Sequence, residues 1–179
     1  MSRFGRNTRR LFLYAAVLAV GYLAGIAAYP ESTVEAASNE MAPELILHKL
    51  GGGDVKLSDY RGKWVFLNFW ATWCVPCLQE MPSMESFHKK FKDKNMTMLA
   101  VSLDHGDATR VADFVKKKGI TFEVFHDPES EASQKFGVYS LPSTFIINPR
   151  GVVVAQALGG REWTDPLIID YFTGLMKKN

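Results

Sequence analysis

The feature that most constrains the fold of this sequence is a Cys-x-x-Cys pair between an apolar run and a helical pattern. Cys74 and Cys77 are the only cysteines in the chain. Residues 64–70 (WVFLNFW) have the composition of a strand buried on both faces of a sheet, and a helical pattern follows to about residue 94. This order places Cys74 at a helix N-terminus, where free backbone N–H groups and the helix dipole stabilise a thiolate. The pair therefore predicts a dithiol centre for thiol–disulfide exchange, with Cys77 close enough to close a disulfide.

Two other uses of the pair fit the sequence less well. A structural disulfide between Cys74 and Cys77 would close a very small loop, which removes little chain entropy and therefore adds little stability. A zinc site would need two further ligands at suitable spacing, and the chain has no other cysteine. We therefore expect neither a metal nor a cofactor.

The remaining patterns predict an α/β domain. Alternating apolar residues on either side of residues 51–54 (GGGD) indicate a β-hairpin before the buried strand. After the first helix, the patterns indicate a strand at 96–103, a helix at 109–118, a strand at 123–125, a helix at 129–136, strands at 144–147 and 152–158, and a terminal helix at 165–176. Early βαβ units give parallel strands and the closing hairpin adds antiparallel ones, so we expect a mixed sheet with helices on both faces.

The first 43 residues are predicted to lie outside this domain. Residues 1–10 carry four arginines, and residues 11–29 form an uncharged apolar run. As a helix this run spans about 28 Å, close to the roughly 30 Å hydrocarbon core of a bilayer. The positive-inside rule then predicts a single-pass anchor in the cytoplasmic membrane, with the N-terminus in the cytoplasm. Residues 30–43 are polar and small, which predicts a flexible linker to a domain at 44–179 on the extracytoplasmic (periplasmic or outer) face.

The N-terminus has two alternative interpretations. The apolar run is also compatible with a signal peptide cleaved near residues 34–36 (VEA), although it is long for one, and we favour a retained anchor. Residues 8–13 (TRRLFL) resemble the twin-arginine export signal, but paired arginines also act as ordinary topology determinants, which is the simpler interpretation. Either route ends outside the cytoplasm, where a free dithiol is useful only if a partner keeps it reduced.

The motifs together resemble the thioredoxin superfamily and, within it, the membrane-anchored, extracytoplasmic TlpA/ResA-like thiol–disulfide oxidoreductases. The resemblance covers about residues 43–177 and is carried by 57–63 (LSDYRGK), 68–74 (NFWATWC), 76–77 (PC), 80–82 (EMP) and 141–144 (LPST). It implies a thioredoxin-like three-layer fold with an N-terminal β-hairpin extension. It also implies a dithiol enzyme in which Cys74 attacks a substrate disulfide and Cys77 resolves the mixed disulfide.

The resemblance also assigns a role to Glu80. This residue lies three positions after Cys77, on the same helical face one turn on. Cytoplasmic thioredoxins usually carry a buried aspartate on the preceding strand, but here Asn68 occupies that place and cannot carry a proton. In the resembled proteins the helix glutamate takes part in proton transfer at the cysteines, so we expect that role for Glu80. The alternative is an exposed helix glutamate.

Four further residues are expected to form the substrate-binding surface: Trp73, Pro76, Leu141 and Pro142. Leu141-Pro142 at a strand start resembles the cis-proline loop of the family, whose free backbone groups bind an extended peptide beside the nucleophile. An ordinary turn proline is the alternative. Trp73 adjoins Cys74 and is expected at the surface, and Pro76 fits the first helical turn, where a missing N–H costs nothing.

The predicted activity is reduction of disulfides in exported proteins. The resemblance implies apocytochrome c, reduced before haem attachment, as the leading substrate, and a membrane thiol-transporting reductase as the electron donor. Val75 adds no cation beside Cys74, which favours a reductant over an oxidant. The net charge of +2 is too close to neutral to indicate nucleic acid as a partner.

Two alternative functions use the same fold. A thiol peroxidase would need its cysteine in a Thr-x-x-Cys setting without the Cys-x-x-Cys pair, and this setting is absent. A copper chaperone would space its cysteines by three residues and add a histidine ligand. His105 and His126 are the histidines that could approach the motif, but the cysteine spacing argues against this function.

Overall fold

The computed structural model describes residues 34–36 and 39–177. The predicted basic segment at 1–10 and the predicted membrane helix at 11–29 lie outside this part of the chain. Within the described part, no helix combines the length and the apolar character that crossing a membrane requires.

Eight strands and four α-helices make up the described chain. The strands are β1 (Val34–Ala36), β2 (Ile46–His48), β3 (Asp54–Lys56), β4 (Trp64–Trp70), β5 (Met96–Ser102), β6 (Glu123–His126), β7 (Ser143–Ile147) and β8 (Val153–Leu158). The helices are α1 (Val75–Phe91), α2 (Thr109–Lys118), α3 (Glu131–Lys135) and α4 (Pro166–Lys177), and a short 3₁₀ helix covers Leu57–Tyr60. Every element predicted for the domain is present, with ends that differ by a few residues.

Six strands form one mixed sheet, as predicted. Their order is β1-β8-β7-β4-β5-β6, in which β4, β5 and β6 are parallel and β7, β8 and β1 pair antiparallel with their neighbours. The predicted hairpin is a separate two-stranded sheet of β2 and β3. Since β4 lies between β5 and β7, its C-terminal end and the residues that follow it lie at the centre of the sheet edge.

Both faces of this sheet are covered, and β4 supplies residues to both hydrophobic cores. Its even-numbered residues, such as Phe66, pack with α1, α2 and α4, whereas its odd-numbered residues, such as Leu67, pack with the hairpin and α3. All seven residues of β4 are buried for this reason. The continuous apolar run in the sequence thus reflects burial from two sides.

The described part of the predicted linker belongs to the folded domain, which corrects the predicted boundary at residue 44. Val34–Ala36 pairs with β8 as the edge strand of the sheet. Met41 forms a β-bridge with Val152, and Ala42 is buried. An edge strand of three residues is stabilised by a partner far along the chain, so the local composition of residues 30–43 did not reveal it.

Candidate active site

Cys74 is the N-cap residue of α1. Its backbone is extended, with φ −86° and ψ 101°, and its Sγ accepts a hydrogen bond from the backbone N–H of Cys77 at 3.3 Å. The first turn of a helix has N–H groups without intrahelical partners, and the helix dipole favours negative charge there. The outer sulfur therefore lies where a thiolate is stabilised, as the junction between strand and helix predicted.

The two cysteines form a disulfide and differ in exposure. Cys74 is 5% exposed, whereas Cys77 is completely buried. Cys74 also lines a groove that opens to solvent, whereas Cys77 has no exposed surface, so a reagent from solution meets Cys74 first. This placement supports the predicted order of attack.

Glu80 is buried, so the alternative of an exposed helix glutamate is wrong. The residue is 2% exposed. Its Oε1 accepts a hydrogen bond from Asn68 Nδ2 at 3.1 Å, and its Oε2 accepts from Trp163 Nε1 at 3.0 Å and from the Arg161 backbone N–H at 3.1 Å. Burial raises the pKa of Glu80 to about 7, although these three hydrogen bonds oppose the rise. A carboxyl group with this pKa can gain and lose a proton at neutral pH.

Asn68 links Glu80 to the loop that carries the predicted cis-proline. Its Nδ2 also donates to Thr144 Oγ1 at 2.9 Å, at the start of β7. The peptide bond between Leu141 and Pro142 is cis, as predicted. One buried amide thus connects the proton-binding group to the strand that follows the predicted substrate-binding loop.

Two residues that were not predicted from the sequence, Arg161 and Trp163, contact Glu80 from the loop after β8. The loop lies so close to the start of α1 that a Cβ atom added at Gly160 would be 3.0 Å from the carbonyl oxygen of Pro76. Trp163 and Glu80 are 83 positions apart, so no local motif joins them. The available signal was a single tryptophan in the otherwise polar stretch 159–165 (GGREWTD).

A third residue that was not predicted from the sequence, Asp104, holds the segment between β4 and Cys74. Asp104 is buried just after the end of β5. Its carboxylate accepts hydrogen bonds from the backbone N–H of Thr72 at 2.8 Å, from the Thr72 hydroxyl and from Ser102 Oγ at 2.7 Å. The segment that positions the nucleophile is therefore attached to the neighbouring strand.

A groove of about 550 Å³ runs beside Cys74. Its lining includes three of the predicted substrate-binding residues, Trp73, Pro76 and Leu141, together with Tyr139. Trp73 is 61% exposed and Tyr139 is 98% exposed, so two aromatic side chains extend into solvent at this groove. Pro142 is buried.

His105 and His126 lie at the C-terminal ends of β5 and β6, and each contacts a backbone carbonyl group. His105 lines the groove, and its Nδ1 lies 3.0 Å from the carbonyl oxygen of Pro128. His126 is buried, with Nε2 2.7 Å from the carbonyl oxygen of Asp104. Across residues 34–36 and 39–177, no three His, Cys, Asp or Glu side chains are grouped so that they could hold a metal ion.

Residues 38–156 match the model of the AhpC/TSA family. The chain belongs to this family. It is also 36% identical over 173 residues to the thiol-disulfide oxidoreductase ResA of Bacillus subtilis strain 168, an alignment that covers 93% of each chain. A second relative is the thiol-disulfide oxidoreductase ResA of Geobacillus kaustophilus, which is 36% identical over 153 residues and covers 83% of this chain and 87% of its own.

Solved structures similar to this chain also include thiol–disulfide oxidoreductases. A putative thiol:disulfide interchange protein DsbE from Chlorobium tepidum is similar with a TM-score of 0.72 and 31% sequence identity, over 79% of this chain and 99% of that one. The family, these relatives and the cysteine pair at the start of α1 together identify a thiol–disulfide oxidoreductase with a thioredoxin-like fold. The predicted resemblance and the predicted enzyme class are confirmed.

Proposed function

We propose that this enzyme reduces disulfides in exported proteins at the extracytoplasmic face of the cytoplasmic membrane, anchored by the apolar segment at 11–29. The observation that carries the proposal is the Cys74–Cys77 pair at the N-terminus of α1, with the carboxyl group of Glu80 buried one turn further along. This combination supplies a nucleophile at the edge of a groove, a resolving thiol buried behind it and a proton acceptor in the interior.

The reaction takes place in two exchange steps. The Cys74 thiolate attacks one sulfur of the substrate disulfide, the other substrate sulfur leaves as a thiolate, and a mixed disulfide forms. Cys77 then loses its proton and attacks the sulfur of Cys74, which releases the second substrate thiol and leaves the Cys74–Cys77 disulfide. Two electrons pass to the substrate, and its two sulfurs end as thiols. We assign to Glu80 the acceptance of the Cys77 proton in the second step.

The surroundings of the pair favour reduction over oxidation. Val75 is 62% exposed beside Cys74, and Pro76 follows it, so neither intervening residue contributes a positive charge near the sulfur. A strongly stabilised thiolate makes the reduced form of a dithiol stable and the protein an oxidant. The compartment outside the cytoplasm is oxidising, so a membrane thiol-transporting reductase is the electron donor in this proposal.

The proposed substrate is apocytochrome c. Its haem-attachment motif, Cys-x-x-Cys-His, is a short peptide segment that accepts haem only when both cysteines are reduced. The groove beside Cys74 fits such a peptide, because Trp73 and Tyr139 offer exposed aromatic surface while Leu141 adjoins the cis peptide bond.

The proposal is tested by the covalent haem content of the host membrane. Cells that carry Cys74→Ser should lose covalently bound haem c, and adding a small-molecule dithiol should restore it, because the dithiol replaces the missing reductant. A Ser86→Ala variant, changed at an exposed position on α1, is the matched control and should keep normal haem c. Normal haem c in the Cys74→Ser cells would exclude the apocytochrome role, and rapid consumption of peroxide by the purified reduced protein would favour a thiol peroxidase.

A further inference from the structure

The loop after β8, residues 159–165, brings two hydrogen-bond donors to one oxygen of Glu80. Trp163 Nε1 lies 3.0 Å from Oε2, and the Arg161 backbone N–H lies 3.1 Å from the same oxygen. Trp163 is 2% exposed, so water does not compete for its indole N–H. The carboxylate on α1 is therefore held by a segment outside the cysteine motif.

Trp163 is fixed at its backbone and at its ring. Its backbone N–H donates to Ser83 Oγ at 3.0 Å, and its ring packs edge-on against Phe66 with the ring centroids 4.6 Å apart. By contrast, the buried indole nitrogens of Trp64 and Trp70 have no hydrogen-bond partner among the described residues. Trp163 is thus distinguished from these two tryptophans by the carboxylate that its N–H contacts.

The charges around Glu80 make this contact important. Burial is the largest influence on the carboxyl group and disfavours its ionised form, while the Trp163 hydrogen bond is the largest of the opposing influences. The charged group that acts on Glu80 is the Arg161 guanidinium, which favours the carboxylate. Cys77 lies one helical turn before Glu80 and becomes titratable once the disulfide is reduced. Asn68 contributes an uncharged donor. Without the indole N–H, burial would be opposed by fewer donors.

We propose that Trp163 is a positioning residue, whose indole N–H holds the Glu80 carboxylate in place. Its consequence for catalysis rests on the function proposed above, in which ionised Glu80 accepts the Cys77 proton. The indole N–H then determines the pH range in which Glu80 is ionised and available as that acceptor.

The test replaces Trp163 in the full-length oxidised protein and follows the protonation of Glu80 directly. Trp163→Phe removes the donor, and substitution by 3-benzothienylalanine replaces Nε1–H by sulfur while keeping the bicyclic ring shape. Infrared spectroscopy reports the C=O band of protonated Glu80, assigned by its absence in Glu80→Gln. We expect the titration midpoint to rise by about one pH unit in both variants, since a hydrogen bond to a charged group is lost. Trp64→Phe, which removes an indole N–H without a partner, should leave the midpoint in place.

An unchanged Glu80 midpoint in the benzothienylalanine variant would overturn the proposal, and this variant decides the question even if Trp163→Phe does not fold. The pH profile of disulfide exchange then separates the two claims. A profile that moves to higher pH with Trp163→Phe, but does not move in a Glu80→Gln background, supports both claims. A Glu80 midpoint that rises while the exchange profile stays fixed supports the role of Trp163 and refutes the catalytic role of Glu80.

Discussion

The proposed mechanism depends on the different surroundings of Cys74, the N-cap residue of α1, and of Cys77 and Glu80 within this helix. Cys74 presents its sulfur at the helix N-terminus, whereas Cys77 is completely buried one turn further along. Glu80 is buried as well, and burial raises its pKa to about 7. In the proposed mechanism, these surroundings separate the roles of nucleophile, resolving thiol and proton acceptor among residues spaced three positions apart.

Replacing Glu80 by glutamine should change the pH dependence of the resolving step. In the wild-type protein this step should accelerate as pH rises through 7, because Glu80 ionises there and can accept the Cys77 proton. In Glu80→Gln this acceleration should disappear and the rate should be lower at pH 8, by about 10²-fold. Stopped-flow measurement of the decay of a mixed disulfide checks the prediction. Glu85→Gln is the control, because Glu85 contacts Thr121 and Lys89 at the surface. An unchanged profile in Glu80→Gln would remove Glu80 from the mechanism.

The same substitution should change how stability depends on pH. The pKa of Glu80 rises from 4.5 to about 7 on folding, so between these values the folded protein retains a proton that the unfolded chain has lost. Stability therefore falls as pH rises from 4.5 to 7, by about 3 kcal/mol in total, and the loss is complete above pH 7. Glutamine does not titrate, so the free energy of unfolding of Glu80→Gln relative to wild type should increase from pH 4 to pH 8. Urea unfolding of the oxidised proteins tests this, and a difference that does not vary with pH would contradict it.

At the level of secondary structure, the segment between β4 and Cys74 is hydrogen-bonded to the end of β5. Asp104, just after β5, accepts hydrogen bonds from the backbone and hydroxyl of Thr72, two residues before Cys74, and from Ser102. The position of the nucleophile therefore depends on the pairing of β4 and β5 as well as on α1 itself.

Asp104→Ala should destabilise the protein and slow exchange. It leaves the backbone N–H of Thr72 and the Thr72 and Ser102 hydroxyls without their acceptor in the interior, which costs about 2–4 kcal/mol. Urea unfolding at pH 7 and a disulfide-reduction assay measure the two effects. Asp104→Asn keeps one acceptor oxygen and should lose less stability than Asp104→Ala. If the midpoint of urea unfolding is the same for Asp104→Ala and the wild type, the hydrogen bonds to Asp104 do not stabilise this segment.

Elements with a complete local pattern were predictable from the sequence, and elements defined by distant partners were not. The helix at Thr109–Lys118 was predicted with its observed ends, because apolar spacing fixes its buried face and Gly119 ends it with a positive φ of 65°. The composition around β1 predicts a linker, and the strand forms only through its pairing with β8, more than a hundred positions away.

The same distinction applies to the site. Cys74, Cys77 and Glu80 are positioned by one helix, so their spacing in the sequence was sufficient to group them. Trp163 and Asp104 reach the site through the packing of other elements, and a single sequence carries no local signal for such contacts. The reacting cysteines could therefore be predicted from the sequence. The hydrogen-bond donors and acceptors that position Glu80 and the segment before Cys74 could not.

At the scale of the whole molecule, the proposed orientation in the membrane makes a separate prediction. In cells whose outer face is made accessible, added protease should digest the folded domain, while a tag at the N-terminus survives until the membrane is permeabilised. This result follows from the positive-inside rule, since four arginines precede the apolar segment. Protection of the domain before permeabilisation would place it in the cytoplasm and contradict the proposal.

The most direct test of the central claim is to trap the substrate on the nucleophile. Cys77→Ser removes the resolving thiol, so a mixed disulfide between Cys74 and the substrate should accumulate in the native host, whereas Cys74→Ser should trap nothing. Non-reducing electrophoresis followed by mass spectrometry identifies the captured proteins and the cysteine that holds them. We expect exported proteins, including apocytochrome c, joined through Cys74. The absence of any Cys74-linked protein from Cys77→Ser cells would contradict it.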